Sequence, residues 1–125
     1  MSADLGDRPK PKPFDELQNL YDVLEHVRQR PGMFVRNGSL DELGLLLSGY
    51  GLALRIHGVD ERFDLDPVGP FAQWLSWTRG WSMVCGWATA IEQNCGDEPP
   101  LEAFFRLLDE WRASLAAASN APAGA

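Results

Sequence analysis

Lysine, cysteine and histidine are scarce in this 125-residue chain. Lys10 and Lys12 are its two lysines, so arginine supplies all the fixed positive charge beyond residue 13. Arg8, Lys10 and Lys12 against Asp4 and Asp7 give the first thirteen residues a net +1, and the remainder therefore carries −8 of the total −7. A body this acidic repels phosphate backbones, which argues against nucleic-acid binding, and a net charge of this kind also serves solubility. Cys85 and Cys95 are the two cysteines. They fall in one predicted helical stretch about 15 Å apart along its axis, too far for the roughly 7 Å reach of a disulfide. Neither stands in a CxxC or Cys/His pattern, so no metal or other cofactor is expected, and both read as small buried apolar residues. His26 and His57 are the two histidines. No Ser or Cys beside a His and an orienting acid is recognisable, so the chain is expected to be no enzyme. No apolar run reaches the 18 or so residues a membrane span needs, and the first 17 residues lack an apolar signal core, so a cytoplasmic location is expected. Sustained strand-like alternation and internal repeats are also missing.

What is present is ordinary globular material: 45% hydrophobic and 23% charged residues. A chain this long can bury about two-thirds of its unfolded surface around one core. Residues 1–13 carry three prolines and no apolar periodicity, and residues 116–125 are mostly small and polar. The expected organisation is a helical domain over 14–115 between disordered tails at 1–13 and 116–125.

The first helix is expected over 14–29, with Leu17, Leu20, Tyr21, Leu24 and Val27 on one face and Asp15 and Glu16 in its first turn. Arg30-Pro31-Gly32 stops it, because Pro31 cannot continue a helix and Gly32 permits the reversal. Met33 and Phe34 then read as apolar anchors to the core. Ser39-Leu40-Asp41-Glu42 fits a capping box, the serine hydroxyl and the glutamate each satisfying a free backbone N–H. The second helix is expected over 40–56, with Leu43, Leu46, Leu47, Tyr50 and Leu54 inward. A third fits 70–77, starting at Pro70. A fourth, capped by Ser82, fits 82–94. A fifth over 101–115 places Leu101, Phe104, Phe105, Leu108, Trp111 and Leu115 on one face. The fold class is therefore all-α, a single domain of about five helices.

The string at residues 30–34, RPGMF, resembles the RPGMY string near the start of the ATPase domain of gyrase-B-type topoisomerases, which likewise follows a helix. That resemblance is local. The family places an Asn four residues after its catalytic Glu, where Glu42 here is followed by Leu46, and it carries an Asp-x-Gly-x-Gly loop that this chain lacks. Over most of its length the chain is similar to a group of small bacterial all-α proteins. Their pattern combines RPGM(Y/F), a Ser/Thr-initiated helix ending in Gly-Tyr, Phe-x-x-Trp-Leu and Phe-Phe-x-Leu-Leu-Asp-Glu, present here at 30–34, 39–50, 71–75 and 104–110. This resemblance implies a helical fold and transfers no catalytic residue.

Two features could carry binding. Five tryptophans occur, and Trp74, Trp77 and Trp81 follow one another at near-helical spacing, as a core cluster or an aromatic partner patch. The carboxylates Asp60, Glu61, Asp64 and Asp66, with Asp97 and Glu98, would attract a basic partner if the two runs converged. The expected function is a non-catalytic intracellular protein-binding domain, such as an immunity or antitoxin-like protein masking a basic partner. A homo-oligomeric scaffold and a small-molecule-binding helical domain are the alternatives.

Overall fold

The periodic segments fold as helices, and their order is visible in a computed structural model that describes residues 10–119. The helices are α1 (Leu20–Gln29), α2 (Leu40–His57), α3 (Pro70–Arg79), α4 (Gly86–Asn94) and α5 (Pro100–Ser119). Single 3-10 turns occupy Phe14–Glu16, Pro31–Met33 and Arg36–Gly38. Among the described residues there is no strand, and no helix is long and apolar enough to cross a membrane.

Local chemistry explains most boundaries. Asn19 starts α1 by accepting the Asp22 N–H, so the helix begins later than residue 14, and Asp15 and Glu16 belong to a separate turn. The Ser39 hydroxyl accepts the Glu42 N–H at 3.2 Å as expected. Glu42 completes the motif differently: its carboxylate takes the Arg36 N–H at 2.8 Å rather than that of Ser39, whose N–H bonds to the Arg36 carbonyl. α2 ends at Gly58 and α3 at Gly80, both in left-handed backbone that glycine adopts without a Cβ penalty. Ser82 does not cap α4. The helix starts at Gly86, with φ of +85°, and Ser82 instead accepts the Val84 N–H in the preceding loop. Cys85 and Cys95 consequently flank α4; Cys85 is exposed, Cys95 half-buried and both free, which corrects their reading as buried residues.

The expected tails behave differently where they are described. Residues 116–119 continue α5, and the Lys12 carbonyl and ammonium meet His26 and Asp22 on α1. Residues 1–9 and 120–125 lie outside the described part.

The core gathers one face of each helix. Leu24 and Val27 of α1 join Leu40, Leu43 and Leu47 of α2. Phe71 of α3 packs edge-on to Trp87 of α4 and Phe104 of α5 and lies 5.6 Å from Trp111, while Trp87 and Phe104 stack at 4.9 Å. These four rings lock α3, α4 and α5 together, since large aromatic surfaces dominate burial energetics. The Trp87 indole N–H donates to the Leu65 carbonyl at 3.0 Å, pinning the α2–α3 connection to the same cluster.

Of the two anchors expected after α1, Phe34 packs against the core and Met33 does not. Met33 is 62% exposed and Phe34 half-buried, whereas Val35 is fully buried. Pro31 opens the 3-10 turn, and its carbonyl accepts both the Phe34 and Val35 N–H groups, which turns Val35 inward.

Candidate partner-binding surface

The acidic residues do not assemble into one face. Glu61 is half-buried and turned inward: one carboxylate oxygen accepts the Leu20 N–H at 2.9 Å and the other the Tyr50 hydroxyl at 2.5 Å. Burial, and then the Glu61 carboxylate, push the Tyr50 phenol well above its ordinary range. Asp64 is only 7% exposed and accepts the Arg62 Nε–H at 2.7 Å. Burial of the nearby Tyr21 and the charge on Asp64 raise the Tyr21 phenol, against which the Arg112 guanidinium lies 4.0 Å from the ring centre. Asp66 is half-buried, and its carbonyl takes the Gly69 N–H. Asp60 and Asp97 are exposed, while Glu98 binds Arg106 through two hydrogen bonds of 2.8 and 3.1 Å. Asp60 follows the C-terminus of α2, whereas Asp97 and Glu98 lead into α5, whose Leu101 packs near Gly38 at the opposite end of α2. An 18-residue helix separates those ends by roughly 27 Å.

The tryptophans also part company. Trp87 and Trp111 are core residues. Trp74 is half-buried, stacked on Phe71 with the Arg79 guanidinium 5.0 Å from its ring centre, and Trp81 is half-buried against the core. Trp77 alone projects, at 90% exposure. Trp74, Trp77 and Trp81 therefore form no continuous aromatic patch.

A row of aliphatic side chains on α2 is left to solvent. Leu45, Leu52 and Ile56 are 74%, 54% and 71% exposed, and Val59, just past the helix, is 54% exposed. At 100° per residue, positions 45, 49, 52 and 56 lie within about 60° of one another, diametrically opposite buried Leu40, Leu43 and Leu47. Gly49 lies in this stripe with open space around it. A helix that is apolar on both sides is normally covered on both. Here one side meets α4 and α5, and among the described residues nothing covers the other. Large contiguous apolar patches on soluble proteins often mark interaction sites. The sequence held this signal in Leu45, Leu52 and Ile56, which the inward face of the helix left unassigned.

Two shallow grooves lie beside α2, the first bordering the stripe at Leu45 and the second opening on another side of the helix. One, about 210 Å³, lies between α2 and the start of α4 and includes Asp41, Leu45, Ser48, Cys85 and Thr89. The other, about 250 Å³, includes Arg55, Val59, Glu61, Phe63 and Asp66. Asp41 and Glu92 meet beside the first groove, where burial and then Asp41 raise the Glu92 carboxyl above its ordinary range. The RPGMF turn borders a third groove of about 250 Å³ with Phe14, His26 and Arg30, where the His26 ring stacks on Phe14 at 4.5 Å. Among the described residues no group of three or more His, Cys, Asp or Glu side chains is placed to hold a metal ion. Comparisons of the chain with family models, curated proteins and solved structures return no match.

Proposed function

We propose that the chain is a non-catalytic protein-binding domain whose docking surface is the outer face of α2. The observation that carries this reading is the register of Leu45, Leu52 and Ile56, all exposed on one helix face directly opposite the core. Covering such aliphatic side chains is favourable by about 25 cal/mol per Å² removed from water. Net charge of −7 supports a basic partner, and an immunity or antitoxin-like protein that masks a basic toxin inside a bacterial cell is the specific form this takes. Membership of the small bacterial group with the RPGM(Y/F) pattern is part of the proposal. It is supported by where two of the motifs fall: Phe71 and Leu75 of one, and Phe104 and Leu108 of another, are buried.

The test is affinity capture from native lysate with wild-type chain and with Leu52→Asp, followed by reconstitution of the complex from purified components. A partner that reconstitutes with wild type and not with Leu52→Asp supports the reading. A partner indifferent to Leu52→Asp, or no reconstituted complex at all, overturns it.

A further inference from the structure

We infer that the occupant of the α2 face is an amphipathic helix carrying lysine or arginine at both ends of its apolar stripe; the inference rests on α2 being the docking surface. The spacing of Leu45, Gly49, Leu52 and Ile56, alternately four and three residues apart, is the seam of a helix–helix contact. Gly49 has open space where a Cβ would be, so a large apolar residue of the incoming helix can seat there between Leu45 and Leu52.

Charge at the two ends of the seam selects the occupant. Asp41 lies one turn before Leu45 on the same face, and Asp60 follows Val59 at the other end. Both are exposed, and neither pairs with a cation among the described residues. Exposed Glu92 adds a second carboxylate beside Asp41, so one incoming cation there would relieve the repulsion between them. Arg55 and His57 are the basic residues of the last turn of α2, and Arg55 sits to the side of the seam, in the groove with Glu61 and Asp66.

A second copy of the chain fits poorly. The antiparallel register that sets Leu45 against Ile56, and Gly49 against Leu52, brings Asp41 of each copy to the end of the other's helix that Asp60 follows. A parallel pair stacks each acid on itself. Both bring two bodies of net charge −7 together. A basic helix meets the same seam with attraction at each end.

Two model peptides test this against the full chain: a helical peptide with leucines along one face and lysines flanking them, and the same peptide with glutamates for lysines. Amide shifts of the isotope-labelled protein report both affinity and place. The expected result is saturable binding of the lysine peptide with shifts along residues 41–60, weakened about tenfold between low and moderate salt as screening predicts. Asp41→Asn with Asp60→Asn should weaken it several-fold, and the glutamate peptide should bind at least about tenfold less tightly. Equal binding of both peptides to α2 overturns the charge assignment and leaves the docking face standing. Binding of neither at α2 overturns the inference, while capture that still depends on Leu52 would keep the broader reading. A stable dimer at low micromolar concentration with α2 amides protected overturns both.

Discussion

Glu61 caps helix α1 from 41 residues away, its carboxylate accepting the Leu20 N–H at 2.9 Å. The same side chain holds the Tyr50 hydroxyl, so a single acid ties the start of α1 to the middle of α2. A carboxylate at a helix N-terminus answers both the free N–H and the positive end of the helix dipole. This acid works inside the fold rather than at its surface.

Removing that link should be expensive for its size. Glu61→Ala leaves a helix N–H and a phenol without their acceptor and should cost about 2–3 kcal/mol. Tyr50→Phe should cost about 1 kcal/mol, and the double variant should fall short of the sum because both touch one group. Urea unfolding of the four proteins measures the coupling. Additive losses would show that Glu61 and Tyr50 act separately.

Two glycines one helix position apart from adjacent should respond with opposite signs. A Cβ on Gly51 would stand 2.7 Å from the Phe63 ring, whereas one on Gly49 meets nothing within 4 Å. Gly49→Ala should therefore stabilise by up to about 1 kcal/mol through helix propensity. Gly51→Ala must displace Phe63 and should lower the melting temperature. A rise for both would mean that the Phe63 ring moves freely.

Tryptophan positions can be separated by stability. Trp87→Phe removes the indole N–H bond to Leu65 and part of a buried ring, for a loss of about 2–3 kcal/mol. Trp77→Phe changes an exposed side chain and should stay within about 0.5 kcal/mol. Thermal unfolding with tryptophan fluorescence distinguishes them; a large loss at Trp77 would place it in an interface.

Acid should destabilise the fold through Asp22 and Glu98. The Gln18 N–H, and then Lys12, hold the Asp22 carboxyl below its ordinary 3.8, and Arg106 holds Glu98 below 4.5. A carboxyl depressed on folding contributes stability that is complete above its unfolded value and disappears as pH falls through the folded one. Stability should therefore decline below about pH 4.5, and Asp22→Asn with Glu98→Gln should flatten that slope. Glu92 acts the other way: raised on folding, it disfavours the folded state above its ordinary 4.5, so Glu92→Gln should stabilise slightly at neutral pH. Denaturant midpoints measured from pH 3 to 7 (about one unit apart) check both signs.

Local signals in the sequence carried the architecture. Ser39 and Pro70 mark helix starts by chemistry that acts within a few residues, and each does so in the structure. The start of α1 is not legible from periodicity, because Leu17 continues the apolar spacing although Asn19 supplies the cap. Ser82 failed as a cap because Gly86 packs against Pro67, a contact across nearly twenty residues that holds the preceding loop open. The acidic site was legible only as composition. Glu61 and Asp64 look like their neighbour Asp60, and only partners brought by the fold, Leu20 and Tyr50 for one and burial beside Tyr21 for the other, separate them. Helical spacing correctly turns Leu47 inward, but Leu46 and Leu115, expected inward with it, are 42% and 41% exposed because they lie at the margins of the buried faces.

The most direct test of the α2 face is the triple variant Leu45→Ser, Leu52→Ser, Ile56→Ser, followed by thermal unfolding and by titration with the lysine peptide. If the face is free in the folded chain and made for a partner, the variant should melt cooperatively within a few degrees of wild type and lose peptide binding. Loss of the cooperative transition would show that these side chains belong to the core, and unchanged binding would show that the partner docks elsewhere.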